Sequence, residues 1–341
     1  MSGLHSLAPQ PWSEEHQVEY LAMNHRCFDR LRAAPPVGPR GLNRVTASTV
    51  ATSTVAASMD AGTDLGPLAE AADRVTAALG GVQRLGVAFS GGVDSALLLA
   101  LAVRALGADS VVAVLGVSPS LAAAERAGAH EVAAFIGVPV VEVVTHEGDR
   151  EAYRANGPDR CYHCKDELFT RIDADVSARY GFDAVAYGEN ADDARRPDRP
   201  GATAAREHGV LRPLADAGLG KVAVRRLARA LRLPCADKPA APCLASRIPH
   251  FDRVDPVRLG QVERAEDALR ALGFGDARVR HHGDVARVEL TPQDLPRAVQ
   301  DPLRGLLLDA VRAAGFRFVA VDLAGIQSGA FTLPLVAAGH D

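Results

Sequence analysis

The stretch AFSGGVDS, residues 88–95, decides how this chain folds. It follows the apolar run RLGVAF (84–89), which is typical of a buried strand, and it leads into the apolar helical pattern SALLLALAVRAL (95–106). Paired glycines let the backbone approach a ligand closely, and the amides and dipole at the start of a helix favour an anion. The stretch therefore predicts a phosphate-binding loop between a strand and a helix.

Within this loop, most side chains and amides are candidate ligands of phosphate or metal. The candidates are Ser90, Gly91, Gly92, Asp94 and Ser95. The serine hydroxyls can donate to phosphate oxygens, and the carboxylate of Asp94 can help to hold Mg²⁺ on a polyphosphate. A plain Gly-Gly turn is the structural alternative, but the full hexapeptide SGGVDS is more specific than two glycines. It lacks the Gly-Lys-Ser/Thr of a Walker A loop, which separates it from ordinary P-loop NTPases.

Outward from the loop, short apolar segments alternate with helical patterns. The strand segments are residues 84–89, 110–117, 138–144 and 183–188, and the helical patterns between them cover 95–106, 120–136 and 166–181. Strands that alternate with helices at this spacing indicate an α/β fold with a doubly wound parallel sheet. Beyond residue 250 the order changes to a helix (255–272), strands ARVRHH and VARVEL, a helix near 296–315 and a strand FRFVAVDL. This second pattern predicts a smaller α+β domain.

These patterns divide the chain into three parts. Residues 66–248 form the predicted α/β domain, and residues 249–341 form the predicted C-terminal α+β domain. Residues 1–65 include VTASTVATSTVAAS (45–58), which has no charge and no helical periodicity, so we expect a disordered N-terminal extension. Met59 is then a candidate for the true start of the protein.

Composition narrows the class of partner and the compartment. The chain has 341 residues, of which 48% are hydrophobic and 23% charged, and its net charge of −4 gives no basic excess that would indicate a nucleic-acid partner. No apolar stretch reaches the roughly 18 residues of a membrane span, and the N-terminus lacks a signal-peptide pattern. We therefore expect a cytoplasmic protein whose five cysteines are reduced, bind metal or act in catalysis.

Three of the cysteines are candidate ligands or reactive thiols. Cys161 and Cys164 have a CxxC spacing at the start of a helical pattern, which puts both sulfurs on one face of a helix whose N-terminus favours thiolates. Cys243 lies in PCADKPAAPCLASRIP (234–249), which is too rich in proline for a regular element. Three small buried hydrophobic side chains are the structural alternative. A three-cysteine [4Fe–4S] cluster with one open iron fits this set better than a four-ligand zinc site.

Several segments together resemble known families. The SGGVDS loop resembles the PP-loop of the ATP-pyrophosphatase superfamily, whose members cleave ATP to AMP and pyrophosphate. The segments DRCYHCK, YGENADD, DKPAAPCLASRIP, RVRHHGDVARVEL and VDLAGIQSGAF resemble, in this order, segments of the LarE family of ATP-dependent sulfur transferases. The resemblance covers roughly residues 66–334. It implies a PP-loop α/β fold and places the loop near Gly116-Val117-Ser118 beside the adenosine.

The resemblance also implies a reaction and a source of sulfur. The family adenylates a carboxylate of pyridinium-3,5-biscarboxylic acid mononucleotide and displaces AMP with sulfur, which makes the thiocarboxylate precursor of the nickel-pincer nucleotide of lactate racemase. In one subtype the cysteine that matches Cys243 gives up its own sulfur and becomes dehydroalanine. In the other subtype the cysteines that match Cys161, Cys164 and Cys243 hold a [4Fe–4S] cluster that relays sulfide. This chain has all three cysteines, so the resemblance favours the cluster subtype.

A substrate with a phosphate and two carboxylates should meet cationic side chains. The candidates are Ser246 and Arg247 in the Cys243 loop, and Arg278 and Arg280 on one face of a predicted strand. Surface charge or cross-strand ion pairs are the alternative for the two strand arginines. Two acidic positions, Glu266 and Glu289, also resemble family contacts to metal or substrate. The expected cofactors are ATP, Mg²⁺ and a [4Fe–4S] cluster, and the resemblance implies a homo-oligomer.

Two other functions stay open at the level of the sequence. A tRNA thiolase can also carry a PP-loop and CxxC cysteines, but tRNA binding needs a broad basic surface that a net charge of −4 does not indicate. A non-catalytic nucleotide-binding module would keep the fold without turnover of ATP, and the intact SGGVDS loop argues against it.

Overall fold

The computed structural model describes residues 65–196 and 199–327. All of these residues belong to one compact unit. The predicted disordered extension, residues 1–65, lies outside the described residues except for Leu65, and so does the end of the chain from residue 328. The division between residues 248 and 249 stays a prediction.

Four parallel strands form the larger sheet. They are β1 (Leu85–Ala88), β2 (Val111–Val117), β3 (Val140–Val144) and β4 (Ala184–Tyr187), in the spatial order β3-β2-β1-β4. Leu85 of β1 is in register with Val111 of β2 on one side and with Ala184 of β4 on the other. The predicted doubly wound parallel sheet is thereby confirmed, and its strand order switches between β1 and β4.

Helices accompany both sheets in the described part of the chain. Those of eight or more residues are α1 (Ala69–Ala78), α2 (Val93–Leu106), α3 (Ala123–Ile136), α4 (Arg160–Arg171), α5 (Pro200–Glu207), α6 (Lys221–Ala230), α7 (Pro256–Ala271) and α8 (Leu303–Ala313). Shorter α-helical turns are Glu151–Arg154, Ala178–Tyr180, Ala191–Ala194, Pro213–Asp216 and Leu295–Ala298, with 3₁₀ turns at Gly66–Leu68, Ala108–Ser110, Glu147–Asp149 and Leu244–Arg247, and a π-helical segment at Ile172–Ser177. Within residues 65–196 and 199–327, none of the helices combines the length and the apolar composition that a membrane span requires.

Helix α2 anchors the phosphate loop in the core. Its sequence is apolar on almost every side, and residues 96–102 are all fully buried. A helix that is apolar all round belongs in the interior, and α2 packs against β1, β2, α1 and α6. Each buried leucine stabilises the fold by roughly 1.5–3 kcal/mol relative to an exposed one, so the start of α2 has a rigid support.

A three-stranded sheet forms the C-terminal region, as the sequence predicts. The strands are β5 (Ala277–His282), β6 (Val285–Leu290) and β7 (Phe318–Val321), in the order β5-β6-β7. Strands β5 and β6 are antiparallel, whereas β6 and β7 are parallel. Helix α7 begins at Pro256 because Asp255 caps it, with Oδ1 accepting the amides of Val257 and Arg258 at 2.9 and 3.0 Å.

Two helix boundaries differ from the sequence prediction. Helix α4 begins at Arg160 rather than at residue 166, so both cysteines of the CxxC spacing lie inside it. The apolar pattern misses this start because the buried face of α4 includes the charged residues Arg160 and Glu167. The helix predicted near 296–315 is two segments, and the second follows Pro302, whose ring cannot continue a helix from before it.

Candidate active site

A cavity of about 520 Å³ opens at the carboxyl ends of the parallel strands. Its wall takes residues from the loop after β1 and from the ends of β2, β3 and β4. Doubly wound sheets bind ligands at the point where the strand order switches, which here lies between β1 and β4. The volume is in the range of sites for nucleotide-sized ligands. We call this space the central cavity.

The SGGVDS loop forms one wall of the central cavity. Gly92 is the N-cap residue of α2, so no side chain covers the first amides of that helix. Ser95 Oγ donates to the carbonyl of Gly92 at 3.0 Å and shares a hydrogen bond of 3.2 Å with Ser90 Oγ. Ser90, Gly92, Asp94 and Ser95 all border the cavity. Two hydroxyls and the helix amides therefore converge there, which is the arrangement that binds phosphate.

Two glycines let neighbouring elements close on this loop. Gly91 has a φ of +70°, and a Cβ on it would lie 2.7 Å from the Cα of Ala129 in α3. Gly91 thus forms the turn on the side of the loop that faces α3, and it is not among the residues that border the cavity. A Cβ on Gly188, just beyond β4, would lie 2.6 Å from the amide nitrogen of Ser95. Only glycine at this position lets the end of β4 meet the start of α2.

The carboxylate of Asp94 lies beside the serines and is held by two donors. It forms an ion pair with Lys221 and accepts a hydrogen bond from Asn190 Nδ2 at 3.1 Å. Asn190 also caps the short helix Ala191–Ala194 through its side-chain oxygen. Mg²⁺ is held in nucleotide sites by one or two carboxylates together with phosphate oxygens, so Asp94 fits this role. Its function as a Mg²⁺ ligand stays a prediction.

The three predicted cysteines border the same cavity as the loop. Cys161 and Cys164 lie one turn apart in α4, and Cys243 directly precedes the turn Leu244–Arg247. Cys161 and Cys243 are exposed, whereas Cys164 is half-buried. Burial, with a contribution from Cys243, raises the pKa of the Cys164 thiol well above its usual value. At Cys164, burial therefore outweighs the helix N-terminus, which the sequence predicts to favour a thiolate.

Hydrogen bonds with two neighbouring parts of the molecule fix the position of Cys243. Nη1 of the buried Arg160 donates to Asn156 Oδ1 at 2.6 Å and to the carbonyl of Ala245 at 2.9 Å. On the other side, the amide of Leu244 donates to the carbonyl of Ser120 at 2.9 Å. The proline-rich segment before Cys243 is irregular, and these bonds connect the loop to α4 and to the segment after β2.

The cysteines supply the donor set of a [4Fe–4S] cluster but not its geometry. Four cysteines are the usual ligands of a [4Fe–4S] cluster, and three can hold one that leaves the fourth iron open. Among the residues that the structure describes, however, no group of three Cys, His, Asp or Glu side chains is close enough to hold a metal ion. A cluster held by these three cysteines therefore stays a prediction.

Lys165, the residue after the CxxC spacing, is a further candidate for chemistry. It borders the central cavity, and its Nζ lies 4.0 Å from the centre of the Tyr187 ring. Burial lowers the pKa of Lys165 to about 8, although the carboxylate of Glu189 partly opposes this shift. A lysine with such a pKa can release or take up a proton near neutral pH. In the sequence, Lys165 is noticeable only as a charge beside the thiols.

Two buried carboxylates also border the cavity, and the motifs do not single them out. Glu147 and Glu189 follow β3 and β4, and they are 2% and 6% exposed. Oε2 of each has no hydrogen-bond partner in the described part of the chain, while Arg212 Nη1 lies 3.6 Å from Glu189 Oε2. Buried oxygens are normally hydrogen-bonded, so these two are suited to a ligand or ion. Their positions after parallel strands could have indicated from the sequence that they meet a ligand.

The predicted substrate-binding arginines lie together, but away from the cavity wall. Arg247, Arg278 and Arg280 are buried and do not border the central cavity. Arg247 pairs with Glu266 through bonds of 2.8 and 3.2 Å, and Arg280 pairs with Glu289 through bonds of 3.0 and 2.8 Å. We call these four residues the buried latch: Arg247, Glu266, Arg280 and Glu289. For Arg280 this is the cross-strand ion pair that the sequence leaves as the alternative.

The latch connects the Cys243 loop to the C-terminal sheet. Arg247 donates to the carbonyl of Pro242 and to Ser246 Oγ at 2.8 and 2.9 Å, and Arg280 donates to the carbonyl of Ser246 at 2.9 Å. Arg278 donates to the carbonyl of Ala240 at 3.0 Å. Substrate binding by Ser246 and the three arginines stays a prediction, and the observed bonds hold the loop that carries Cys243.

The fold and the loop together define a class of protein, the PP-loop ATP-pyrophosphatases. In agreement, the asparagine synthase family matches residues 70–186, which contain the loop and most of the parallel sheet. The phosphate-binding wall and the thiols on one cavity further indicate an enzyme that combines ATP with sulfur chemistry.

Relatives among curated proteins give the family. The chain is 36% identical over 258 residues to the pyridinium-3,5-bisthiocarboxylic acid mononucleotide synthase of Lactiplantibacillus plantarum, and the match covers 75% of this chain and 91% of that protein. It is 41% identical over 250 residues to the uncharacterized protein slr1717 of Synechocystis sp., with 73% and 92% covered. The chain therefore belongs to the LarE family, and it is an ATP-dependent sulfur transferase.

Proposed function

We propose that this protein converts pyridinium-3,5-biscarboxylic acid mononucleotide into a thiocarboxylate with ATP. A carboxylate oxygen of the substrate attacks the α-phosphorus of ATP, pyrophosphate leaves, and an acyl adenylate forms. A sulfur nucleophile then attacks the carbonyl carbon and AMP leaves. The product is the thiocarboxylate precursor of the nickel-pincer nucleotide of lactate racemase. The printed name of the Lactiplantibacillus plantarum relative supports this substrate class.

One observation carries the proposal: the phosphate loop and all three cysteines border the same cavity. Adenylation requires the substrate carboxylate beside the α-phosphate, and the sulfur must then reach the carbon of that same carboxylate. A single cavity that exposes both the loop and the thiols allows both steps without movement of the substrate to another site. Holding reacting groups together in this way removes much of the entropic barrier.

The residues of the loop have distinct roles in this proposal. The hydroxyls of Ser90 and Ser95 and the amides of α2 bind the pyrophosphate part of ATP. Gly92 keeps the backbone close to it, and Gly91 provides the left-handed turn of the loop. Asp94 would hold Mg²⁺, and the ion would offset the charge that grows on the leaving pyrophosphate. Lys165 borders the same cavity, and its ammonium group can stabilise the charge of the acyl adenylate.

For the source of sulfur, we propose a [4Fe–4S] cluster held by Cys161, Cys164 and Cys243. The presence of all three thiols on one cavity supports it, and the bound cluster would supply a sulfide. The alternative is the sulfur of Cys243 itself. In that case Sγ attacks the carbonyl carbon to form a thioester, and cleavage of the Cβ–S bond with loss of the Cα proton leaves dehydroalanine. Both routes need reduced cysteines, which fits the expected cytoplasmic location.

We also propose that the protein forms a homo-oligomer, as the family resemblance implies. The edge strand β7 leaves Phe318 exposed by 51%, and Leu323 just beyond it is exposed by 89%. Exposed large apolar side chains at a sheet edge favour association. Light scattering on the purified protein tests this point.

Replacement of Cys243 tests the proposed reaction. We expect Cys243→Ala to release pyrophosphate with ATP, Mg²⁺ and the pyridinium substrate but to form no thiocarboxylate, because either sulfur source requires this thiol. Pyrophosphate assay and mass spectrometry of the product measure the two steps separately. Cys235→Ala is the matched control, because Cys235 is buried in the core outside the cavity. Full thiocarboxylate formation by Cys243→Ala would contradict the proposal.

The two sources of sulfur leave different traces in the protein. After anaerobic purification, iron and sulfide assays show whether a cluster is bound, and intact-protein mass spectrometry before and after turnover shows whether Cys243 has lost H₂S. Bound iron with an unchanged Cys243 supports the cluster. Absence of iron together with dehydroalanine at position 243 supports the sacrificial route and overturns the cluster proposal.

A further inference from the structure

A second cavity, of about 240 Å³, shares a wall with the central cavity. We call it the arginine cavity, because the described charged residues of its lining are Arg196, Arg199, Arg206 and Arg212 with the carboxylates Glu189 and Asp193. Glu189, Asp193, Arg199 and Ala202 border both cavities. A ligand in the central cavity can therefore extend a charged group toward the arginines.

The positive charge of the arginine cavity is only partly matched. Arg199 forms an ion pair with Asp193, and Arg212 lies 3.2 Å from Asp216 and 3.6 Å from Glu189. Arg206 donates to Thr203 Oγ1 at 3.1 Å, and no carboxylate of the described residues is within ion-pair distance of it. Arg206 therefore brings to the cavity a positive charge that no carboxylate of the described residues pairs with, and this charge favours an anion.

Helix α5 sets this arrangement. Its first residues, Pro200 and Gly201, border the central cavity, and a Cβ on Gly201 would lie 3.0 Å from Cδ of Lys165. The absence of a side chain at Gly201 thus lets the start of α5 pack against α4 beside the CxxC cysteines. The partial positive charge of a helix N-terminus adds to the attraction for an anion there.

A buried oxygen gives an independent indication of a ligand. Oε2 of Glu189 has no hydrogen-bond partner in the described residues, and Glu189 borders both cavities. Its contact with Arg212 at 3.6 Å is an ion pair without a hydrogen bond, so a bound substrate with a hydroxyl group would supply the donor that this buried oxygen lacks. The arginine cavity thus combines groups for an anion with one acceptor for a neighbouring hydroxyl.

We propose that the arginine cavity binds an oxyanion of the second substrate while ATP occupies the central cavity. This inference rests on the proposed function, in which that substrate carries a phosphate and two carboxylates. One carboxylate must reach the ATP phosphates, so another anionic group is left to be bound elsewhere. Guanidinium groups bind carboxylate or phosphate oxygens in a bidentate manner, and Arg199, Arg206 and Arg212 offer this at a site joined to the reaction centre.

Substitution of Arg206 tests the proposal by equilibrium binding. We expect Arg206→Gln to weaken binding of the pyridinium mononucleotide about tenfold or more, since a charged hydrogen-bond donor is lost, and to leave binding of a non-hydrolysable ATP analogue unchanged. Isothermal titration calorimetry measures both. Arg226→Gln is the matched control, because Arg226 is exposed on α6 and borders neither cavity. Arg199→Gln is a second variant if Arg206→Gln weakens the fold.

A dephosphorylated substrate identifies the anion. If the cavity binds the phosphate, Arg206→Gln and the wild type should bind the pyridinium biscarboxylate nucleoside equally. If it binds a carboxylate, the variant should bind the nucleoside about tenfold more weakly as well. Unchanged mononucleotide binding in both variants would overturn the proposal, and so would an equal loss of ATP binding. If the wild type neither binds the mononucleotide nor releases pyrophosphate with it, the proposed function itself fails, and the inference fails with it.

Discussion

The arginines of the buried latch and those of the arginine cavity carry the same charge but differ in how it is matched. In the latch, Arg247 and Arg280 are less than 7% exposed, and each meets a carboxylate through two hydrogen bonds. In the arginine cavity, Arg206 is exposed and meets only a hydroxyl among the described residues. A saturated guanidinium fixes structure, whereas an unsaturated one beside a cavity is available to a ligand.

The largest effect on stability should come from breaking the latch. We expect Arg247→Ala to lower the free energy of unfolding by about 3–5 kcal/mol, because it leaves the carboxylate of Glu266 buried without its cation. Urea denaturation followed by circular dichroism measures this loss. Arg206→Gln, on the other side of the comparison, should change the free energy of unfolding by less than about 0.5 kcal/mol.

A double variant shows whether the loss arises from the unpaired charge. Glu266 Oε1 also accepts the amide of Val279 at 2.9 Å, so Arg247→Met with Glu266→Gln removes both charges and keeps that acceptor. We expect the double variant to be more stable than Arg247→Ala. Equal loss in the two proteins would mean that packing, rather than charge pairing, makes Arg247 important.

Lys165 extends the comparison of paired and unpaired cations, because it borders the central cavity and its burial disfavours the charged form of the side chain. Its pKa is about 8 in the folded protein and 10.5 as its ordinary value, so the unfolded chain binds more protons between these pH values. The free energy of unfolding of the wild type should therefore rise, relative to Lys165→Met, by roughly 1–3 kcal/mol from pH 8 to above pH 10. Urea denaturation at several pH values measures the difference, and a constant difference would contradict the shifted pKa.

The sequence predicts the parts of the site that depend on local chain geometry. The SGGVDS loop requires only a strand before it and a helix after it, and the CxxC spacing requires only one helix, so both are visible in a short window. The charge pairing is not visible in this way. Arg247 and Glu266 are 19 residues apart on different elements, and the spacing of Arg278 and Arg280 is the same whether they face a ligand or a carboxylate.

The same limit explains why the arginine cavity is missed. Arg199 and Arg206 lie in a segment for which the sequence predicts a loop and a short helix, and arginines in such segments are normally solvated. They become a candidate site only because α5 packs against α4, beside Lys165 and the end of β4. Glu189 is different, since it directly follows the strand β4 and its Gly188, and residues at that position of a parallel sheet commonly meet ligands.

A smaller change in the free energy of unfolding is expected at two helix-capping residues, Asp255 in the C-terminal region and Asn190 beside the phosphate loop. Asp255 caps α7 in the C-terminal region, and we expect Asp255→Ala to lower the free energy of unfolding by about 1 kcal/mol without changing ATP binding. Asp255→Asn should be almost neutral, because asparagine caps equally well.

Asn190 caps a short helix too, but its amide also holds Asp94 beside the phosphate loop. Asn190→Ala should therefore weaken binding of Mg²⁺-ATP as well as stability. Thermal unfolding and calorimetric titration measure the two effects, and unchanged ATP binding in Asn190→Ala would separate Asp94 from the nucleotide.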